Sequence, residues 1–317
     1  MSMSWTRKGR IFDPATHDWA RSHAQVPTPL LYDDKVRIFY ADRFEDGRSY
    51  TTFVDLDRSD LGKVIYEHKA PILDFGVPGT FDDDGVMPSF ALRRDGQVWL
   101  YYSGWNRGVT VPYRNSIGIA VSDDDGTTFR RLYEGPVMDR CPEEPYMAVT
   151  PTILRERDAD GGDLWRMWYI SGLRWTLVEG KYEPVYVIKY CHSADGVSWT
   201  RPNHLCIPQS HDNEAFSHPT VIRHRGQYLM WYCCRDSADY RDGAGAYRIG
   251  FASSPDGLDW TRQDHVLGLD VLDDGWESTM TSYPSVIEID GRVVMFYNGN
   301  GFGRSGFGYA ILEDKRD

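Results

Sequence analysis

One pattern recurs five times along this chain and limits what it can become. A polar, acid-containing approach leads to a proline followed by Ser, Thr or Leu, then a short apolar run, a polar turn and an apolar-aromatic run ending in Tyr. The prolines are Pro29, Pro88, Pro151, Pro219 and Pro284, about 64 residues apart. The Tyr-ending runs are Val36–Tyr40, Val98–Tyr102, Leu164–Tyr169, Tyr228–Tyr232 and Val293–Tyr297. A third apolar run follows in four copies: Ile117–Val121, Val187–Cys191, Ile249–Ala252 and Phe307–Ile311. Turns of the form Ser193-Ala-Asp-Gly-Val-Ser-Trp199 and Ser254-Pro-Asp-Gly-Leu-Asp-Trp260, with Ser122–Phe129 as a longer version, then lead into a fourth run. Asp-Gly between strand patterns marks a hairpin, because Gly accepts the positive φ that the turn requires.

The two ends complete the pattern. The last copy stops after its third run, whereas the chain begins with Trp5-Thr6-Arg7, a repeat of Trp199-Thr200-Arg201 and Trp260-Thr261-Arg262. An N-terminal strand that supplies the missing outer strand leaves no open sheet edge. The sequence therefore predicts an all-β fold, a single five-bladed β-propeller domain over 1–317, closed by the N-terminal strand completing the last blade. The first strand of each blade should be innermost, so the residues opening it should line a central channel. The inserts 15–24, 74–83, 105–115, 140–146, 172–183 and 237–246 should wall its mouth.

A formal net charge of −12 argues against a nucleic-acid partner, which needs clustered Lys and Arg, but leaves room for a small anionic ligand. Eleven Trp and 20 Tyr suit both strands and a site that stacks on sugar rings. No stretch approaches the ~20 apolar residues of a membrane span, and residues 1–7 do not form an apolar signal segment. Five Cys without zinc-ligand spacing read as reduced thiols of a cytoplasmic protein. Phosphate-loop, dinucleotide and His-Glu-x-x-His motifs are absent, so no cofactor and no metal are expected.

The acids ahead of each proline carry the chemical expectation. Asp84 stands four residues before Pro88, and Glu214 stands five before Pro219. They are the candidate catalytic pair, with Glu214 as proton donor and Asp84 as base or sugar-binding acid. Glycosidic cleavage needs two carboxyl groups roughly 5–5.5 Å apart for retention or roughly 6.5–9.5 Å for inversion. His23, Gln25, Glu144, His218 and Tyr283 approach the same channel as candidate substrate-binding residues. Arg43, Trp105, Arg174, Trp175, Arg235 and Asn298, at the ends of second strands, form a further candidate layer. Guanidinium groups suit a carboxylate or phosphate, and indole faces suit a sugar ring. An acid pair across an open channel would support glycosidic chemistry; an acid buried in a salt bridge elsewhere would favour sugar binding without hydrolysis.

With its Ser-x-Asp-Gly-x-x-Trp turns, Pro-Ser/Thr first strands and Tyr-ending second strands, the whole chain resembles the five-bladed propeller glycosidase superfamily. That group includes arabinanases and β-xylosidases, invertases and levansucrases, and β-mannoside phosphorylases. The resemblance implies a carbohydrate-active enzyme acting on a small-molecule sugar, with Asp84 in the second-blade acid position and Glu214 similar to the donor. Arg43, Arg174, Arg235 and His218 would hold phosphate in the phosphorylase scheme. The segment Arg21–Pro27 departs from the hydrolase pattern, since it contains no Asp or Glu. Three functions are therefore open: hydrolysis of a glycosidic bond, phosphorolysis or transfer on an anionic sugar, and non-catalytic sugar binding.

Overall fold

A computed structural model describes residues 3–241 and 244–313. The ends of the expected domain and part of the 237–246 insert lie outside the described residues. The described chain is all-β apart from three short 3-10 turns. It opens with β1 (Trp5–Phe12), followed by β2 (Gln25–Leu31), β3 (Lys35–Arg43), β4 (Ser49–Asp57) and β5 (Asp60–Glu67). Next come β6 (Gly85–Arg94), β7 (Gln97–Arg107), β8 (Tyr113–Ser122) and β9 (Arg130–Arg131). The middle holds β10 (Ala148–Arg157), β11 (Asp163–Val178), β12 (Lys181–Ser193) and β13 (Thr200–Leu205). Then follow β14 (Glu214–His224), β15 (Gln227–Asp236), β16 (Arg248–Ser254) and β17 (Thr261–Arg262), and finally β18 (Ser282–Ile289), β19 (Arg292–Asn298) and β20 (Phe307–Leu312).

Consecutive strands pair antiparallel. Three sheets have four strands each, β10–β13, β14–β17 and β18–β20 with β1 on the outside; an eight-stranded sheet takes β2–β9. That larger sheet narrows to one parallel bridge, Ser49 to Gly85, between β4 and β6. The N-terminal strand pairs with β20 from Trp5↔Leu312 to Phe12↔Phe307. The first strands touch in a closed succession, β2 to β6, β10, β14, β18 and back to β2.

The apolar cores lie between the two parts of the eight-stranded sheet and between successive sheets. Phe39, Phe53 and Leu100 share one, Tyr101, Ile119 and Trp165 the next, and Trp168, Met230 and Tyr232 a third. Trp5, Trp231 and Met295 follow, and Phe12, Ile38, Phe296 and Phe307 join the last sheet to the first. The Asp-Gly turns fasten this packing. Asp195 Oδ1 accepts the N–H groups of Val197 and Ser198, while Tyr101 of the preceding sheet donates to Gly196 O at 2.7 Å. In the same way Trp168 donates to Gly257 O and Tyr32 to Asp125 O.

All five innermost strands carry a register shift, and in four of them a non-Gly residue at positive φ makes the bulge. Val26, Thr150, His218 and Tyr283 have φ of 59°, 45°, 45° and 51°, and the pairing register shifts at each. The next residues are Pro27, Pro151, Pro219 and Pro284, so the first repeat is marked by Pro27 rather than the expected Pro29. A non-Gly residue held there costs roughly 1–3 kcal/mol, and such bulges re-aim side chains beside functional sites. Partners across the sheet boundary hold three of these N–H groups: Asn298 Oδ1 for Val26, Ser103 Oγ for Thr150 and Cys233 Sγ for Tyr283.

Candidate active site

The bulged ends of the inner strands open onto a cavity of about 460 Å³. Gln25 and Val26, Met87, Val149 and Thr150, Ser217 and Tyr283 come from the five inner strands. The upper wall is cationic and aromatic: His23, Arg43, Arg235, Arg241 and Arg304 with Trp105, Tyr113, Tyr186, Tyr240 and Tyr247. No Asp or Glu lines this cavity among the described residues.

Asp42 organises one side. Fully buried, it accepts the backbone N–H groups of Arg21, Ser22, His23 and Arg43, and the Tyr50 hydroxyl, at 2.7–3.0 Å. These bonds hold the loop that presents His23. Burial first, then the Arg43 and Arg304 charges, push the His23 pKa down to about 4, so its imidazole is neutral at pH 7. Arg43 donates to Gln25 Oε1 at 3.0 Å and lies over the Trp105 ring at 5.9 Å; burial lowers its pKa. Gln25 passes the chain of bonds on to the Tyr283 hydroxyl at 3.2 Å.

Arg235 organises the other side. It is 4% exposed and donates to Tyr247 Oη at 3.1 Å, Ser237 Oγ at 3.1 Å and Pro184 O at 2.8 Å. Its guanidinium lies 3.8 Å from the Tyr240 ring centroid. The Tyr113 and Tyr186 hydroxyls meet beside it at 2.7 Å. Neither Arg43 nor Arg235 forms a carboxylate ion pair among the described residues, whereas Arg241 is held bidentate by Glu183 at 2.9–3.1 Å. A buried cation without an ion-pair partner is costly, so the wall around Arg235 is electrostatically incomplete, and half-buried Arg43 has, among the described residues, only the adjacent Asp42 charge to offset it.

The expected acid pair is not in the cavity, and the reason recurs around the fold. Glu214 is bound by both Nη atoms of Arg262 at 3.0 and 2.6 Å. Burial, the largest single influence, works to raise its pKa, but the hydrogen bonds from Arg262 and Ser210 and the Arg262 charge together hold the carboxyl below the usual range. An acid so held stays ionised and does not donate a proton. Three further sheets repeat the latch between an outer-strand Arg and the acid leading into the inner strand. Arg131 meets Asp82 at 2.8 Å, Arg201 meets Glu144 at 2.9 Å and Arg7 meets Glu277 at 3.3 Å. The Tyr ending the second strand joins each, Tyr102, Tyr169 and Tyr297 donating at 2.8–3.0 Å. Glu144 is therefore a latch, not a cavity residue. Asp84 accepts the Arg107 N–H at 2.6 Å and faces its guanidinium at 3.4 Å, also outside the cavity.

Four other candidates lie elsewhere. Asn298 is fully buried, its amide used by Val26 N, Ala24 O and Gly306 O. His218, 2% exposed, pairs through Nε2 with Ser285 Oγ at 3.2 Å. Arg174 donates to Asp212 O, and Trp175 packs edge-on against Tyr113 at 5.5 Å. His23, Gln25, Arg43, Trp105, Arg235 and Tyr283 do line the cavity together. Sequence reasoning missed Tyr113, Tyr186, Tyr240, Arg241, Tyr247 and Arg304. Tyr113, Tyr240 and Arg241 sit in inserts expected to wall the mouth, and the Tyr-Arg steps Tyr113-Arg114, Tyr240-Arg241 and Tyr247-Arg248 were the available signal.

No protein-family model matches the chain. Two proteins of Mycobacterium tuberculosis, Uncharacterized protein MT1551 (strain CDC 1551 / Oshkosh) and Uncharacterized protein Rv1502 (strain ATCC 25618 / H37Rv), are each 40% identical over 315 residues, 98% of this chain and 100% of theirs. Among solved structures, a BT0996 RGII complex superposes with a TM-score of 0.75 at 19% identity, covering 99% of this chain and 92% of that one. A glycoside hydrolase gives 0.74 at 19% identity, over 100% and 93%. A member of the GH130 family of mannoside phosphorylases, which contains glycoside hydrolases that target beta-1,2 mannosidic linkages in Candida mannan, gives 0.65 at 16% identity, over 100% and 95%. These likenesses establish a shared fold.

Proposed function

The chain belongs to the family of the two mycobacterial proteins MT1551 and Rv1502, and for it we propose a carbohydrate-active propeller whose cavity binds a sugar-sized molecule carrying a carboxylate or phosphate. The observation that carries the reading is the pair Arg43, half-buried, and Arg235, buried, facing one cavity without a carboxylate ion pair among the described residues. A ligand anion would supply the missing charge through hydrogen bonds stronger than those of neutral partners. Trp105 and the tyrosines supply faces for a sugar ring, and the buried Thr150 hydroxyl, without a partner in the protein, is placed to meet a ligand hydroxyl.

Five blades follow if the eight-stranded sheet is divided at its single Ser49–Gly85 bridge; the closed succession of five inner strands supports that division. Five unpaired cysteines support a reducing, cytoplasmic setting. Hydrolysis by Asp84 and Glu214 draws no support from a cavity that neither acid lines. The activity we assign is glycosyl transfer in which the anion is a reactant or part of the substrate, phosphorolysis included; the GH130 phosphorylase fold is consistent with it. Binding without turnover is the second reading, favoured by the absence of any carboxylate in the cavity wall among the described residues.

Calorimetry with glucuronic acid, glucose 6-phosphate, inorganic phosphate and neutral glucose tests the first claim. At least one sugar anion should bind about tenfold or more tightly than glucose, a difference of about 1.4 kcal/mol. Arg235→Met should abolish that preference while leaving the fold equally or more stable, since an apolar isostere relieves the burial of a charge. Equal affinity for glucose and the anions, or an unchanged preference in Arg235→Met, would refute the reading. Phosphate-dependent release of sugar 1-phosphate from an oligosaccharide panel separates transfer from binding alone.

A further inference from the structure

The cavity has a neighbour. Between the tip of the β11–β12 hairpin and residues 237–241 lies a second cleft of about 470 Å³, lined by Val178, Glu179, Lys181 and Glu183 on one side and Ser237, Ala238 and Asp239 on the other. Tyr240 and Arg241 line both spaces. Each volume on its own falls within the roughly 300–1,000 Å³ of small-ligand sites.

The hairpin that makes this cleft extends past its sheet. β10 pairs with β11 only up to Ser171, and β13 joins β12 only from Lys189 onward. Beyond a bulge between Gly172 and Arg174, β11 and β12 continue as a two-stranded arm to Val178↔Lys181, closed by a turn with positive φ at Glu179 and Gly180. Two strands alone are marginally stable in water, so the arm depends on its anchor. Glu183 provides it, accepting the Tyr240 hydroxyl at 2.7 Å and both Nε and Nη2 of Arg241 at 2.9–3.1 Å. The anchor fixes the two residues shared by cavity and cleft.

The charges of the two spaces are opposite in kind. The inner cavity is lined by four arginines and no acid among the described residues. In the outer cleft Glu183 is matched by Arg241, leaving Glu179 and Asp239 with Lys181. Carboxylates and an ammonium group in water-accessible positions bind hydroxyls well, as acceptors and donors, and two carboxylates disfavour a second anion there.

Resting on the proposal that the inner cavity holds an anionic sugar, we infer that the ligand has two units: the anionic one inside and a neutral, hydroxyl-rich sugar in the outer cleft, joined by a linkage that crosses at Tyr240 and Arg241. The substrate class is then a disaccharide, or the end of a longer chain, with its acid group on the terminal unit that enters first.

The test compares glucuronic acid with an aldobiouronic acid, and glucose 6-phosphate with sucrose 6-phosphate, by calorimetry on the full chain. In at least one series the disaccharide should bind about tenfold more tightly than the monosaccharide. Lys181→Ala with Asp239→Asn, both at exposed positions, should erase that gain and leave monosaccharide affinity unchanged. Equal affinities within both series, or a gain that survives the double substitution, overturn the two-unit ligand while the inner anion site stands. If wild-type protein binds neither member of either series, the inner-site reading falls and this inference with it.

Discussion

His218 shows how one buried side chain sets a pH limit. Burial alone pushes its pKa from 6.5 down to about 3, and His23 falls to about 4. Above pH 6.5 both are neutral in folded and unfolded chains and contribute nothing. Below it the unfolded chain takes up protons that the folded one refuses, so stability falls as pH drops from 6.5 towards 3–4. At pH 4.5 His218 alone should cost about 2–3 kcal/mol. Denaturation of wild type and His218→Gln at pH 7 and pH 4.5 checks this: the variant should lose less stability between the two, and equal losses would show that His218 does not carry the effect. The residues that reach the cavity were legible because they flank the recurring proline or end the Tyr-rich strand, as Gln25, Tyr283, Arg43 and Arg235 do. Glu214 was misread because an acid ahead of an inner strand serves equally as a proton donor or as a latch. Its partner, Arg262, stands 48 residues away, and only the outer strand brings the two within 2.6 Å.

Among the elements, the latch gives the Trp-Thr-Arg motif its purpose. Its Trp packs on the fold and its Arg pins the outer strand to the segment that leads into the innermost one, tying the two ends of a sheet together. Arg7, Arg201 and Arg262 are the Arg of that motif, and Arg131 takes the same place after Phe129. Among the described residues, the β2–β5 part of the eight-stranded sheet has no such latch. Tyr40, the counterpart of Tyr102 and Tyr169, has a buried hydroxyl without a partner, while Glu67 on the outer strand takes the Trp19 indole at 3.1 Å. We predict that Glu214→Gln lowers stability by about 1–3 kcal/mol, because Arg262 loses one of its two carboxylate partners, keeping Asp264 at 2.6 Å, and remains partly solvated. Anion binding in the cavity should stay within twofold of wild type. Chemical denaturation and calorimetry on the one variant decide it; lost binding with unchanged stability would return Glu214 to the site.

At the scale of the molecule, β1 holds the last sheet to the rest. It buries Trp5 against Trp231 and Phe12 against Phe307, and Arg7 closes the latch on Glu277. Each large side chain contributes about 1.5–3 kcal/mol, and the β20 edge is covered by the same strand. Deleting residues 1–12 should therefore leave a protein that aggregates or melts at least ~10 °C lower, by light scattering and calorimetry. A deletion variant that stays monomeric and as stable as wild type would show that the strand only decorates the edge. Against a formal charge of −12 over the whole chain, the arginines gathered at one cavity are a local exception, which composition hides.

By itself the sequence determined the all-β repeat, the order of most strands and their apolar centres, the Asp-Gly turns and the return of the N-terminus to the last sheet. All of these rest on local propensity and on a periodicity that each copy displays for itself. What only the tertiary structure decided is which acids face Arg262, Arg201, Arg131 and Arg7 and which arginines are left without an acid. Charge pairing is settled by distances of a few ångströms between residues tens or hundreds of positions apart. Sequence therefore reveals that the acids are present, and the fold determines that they are already taken.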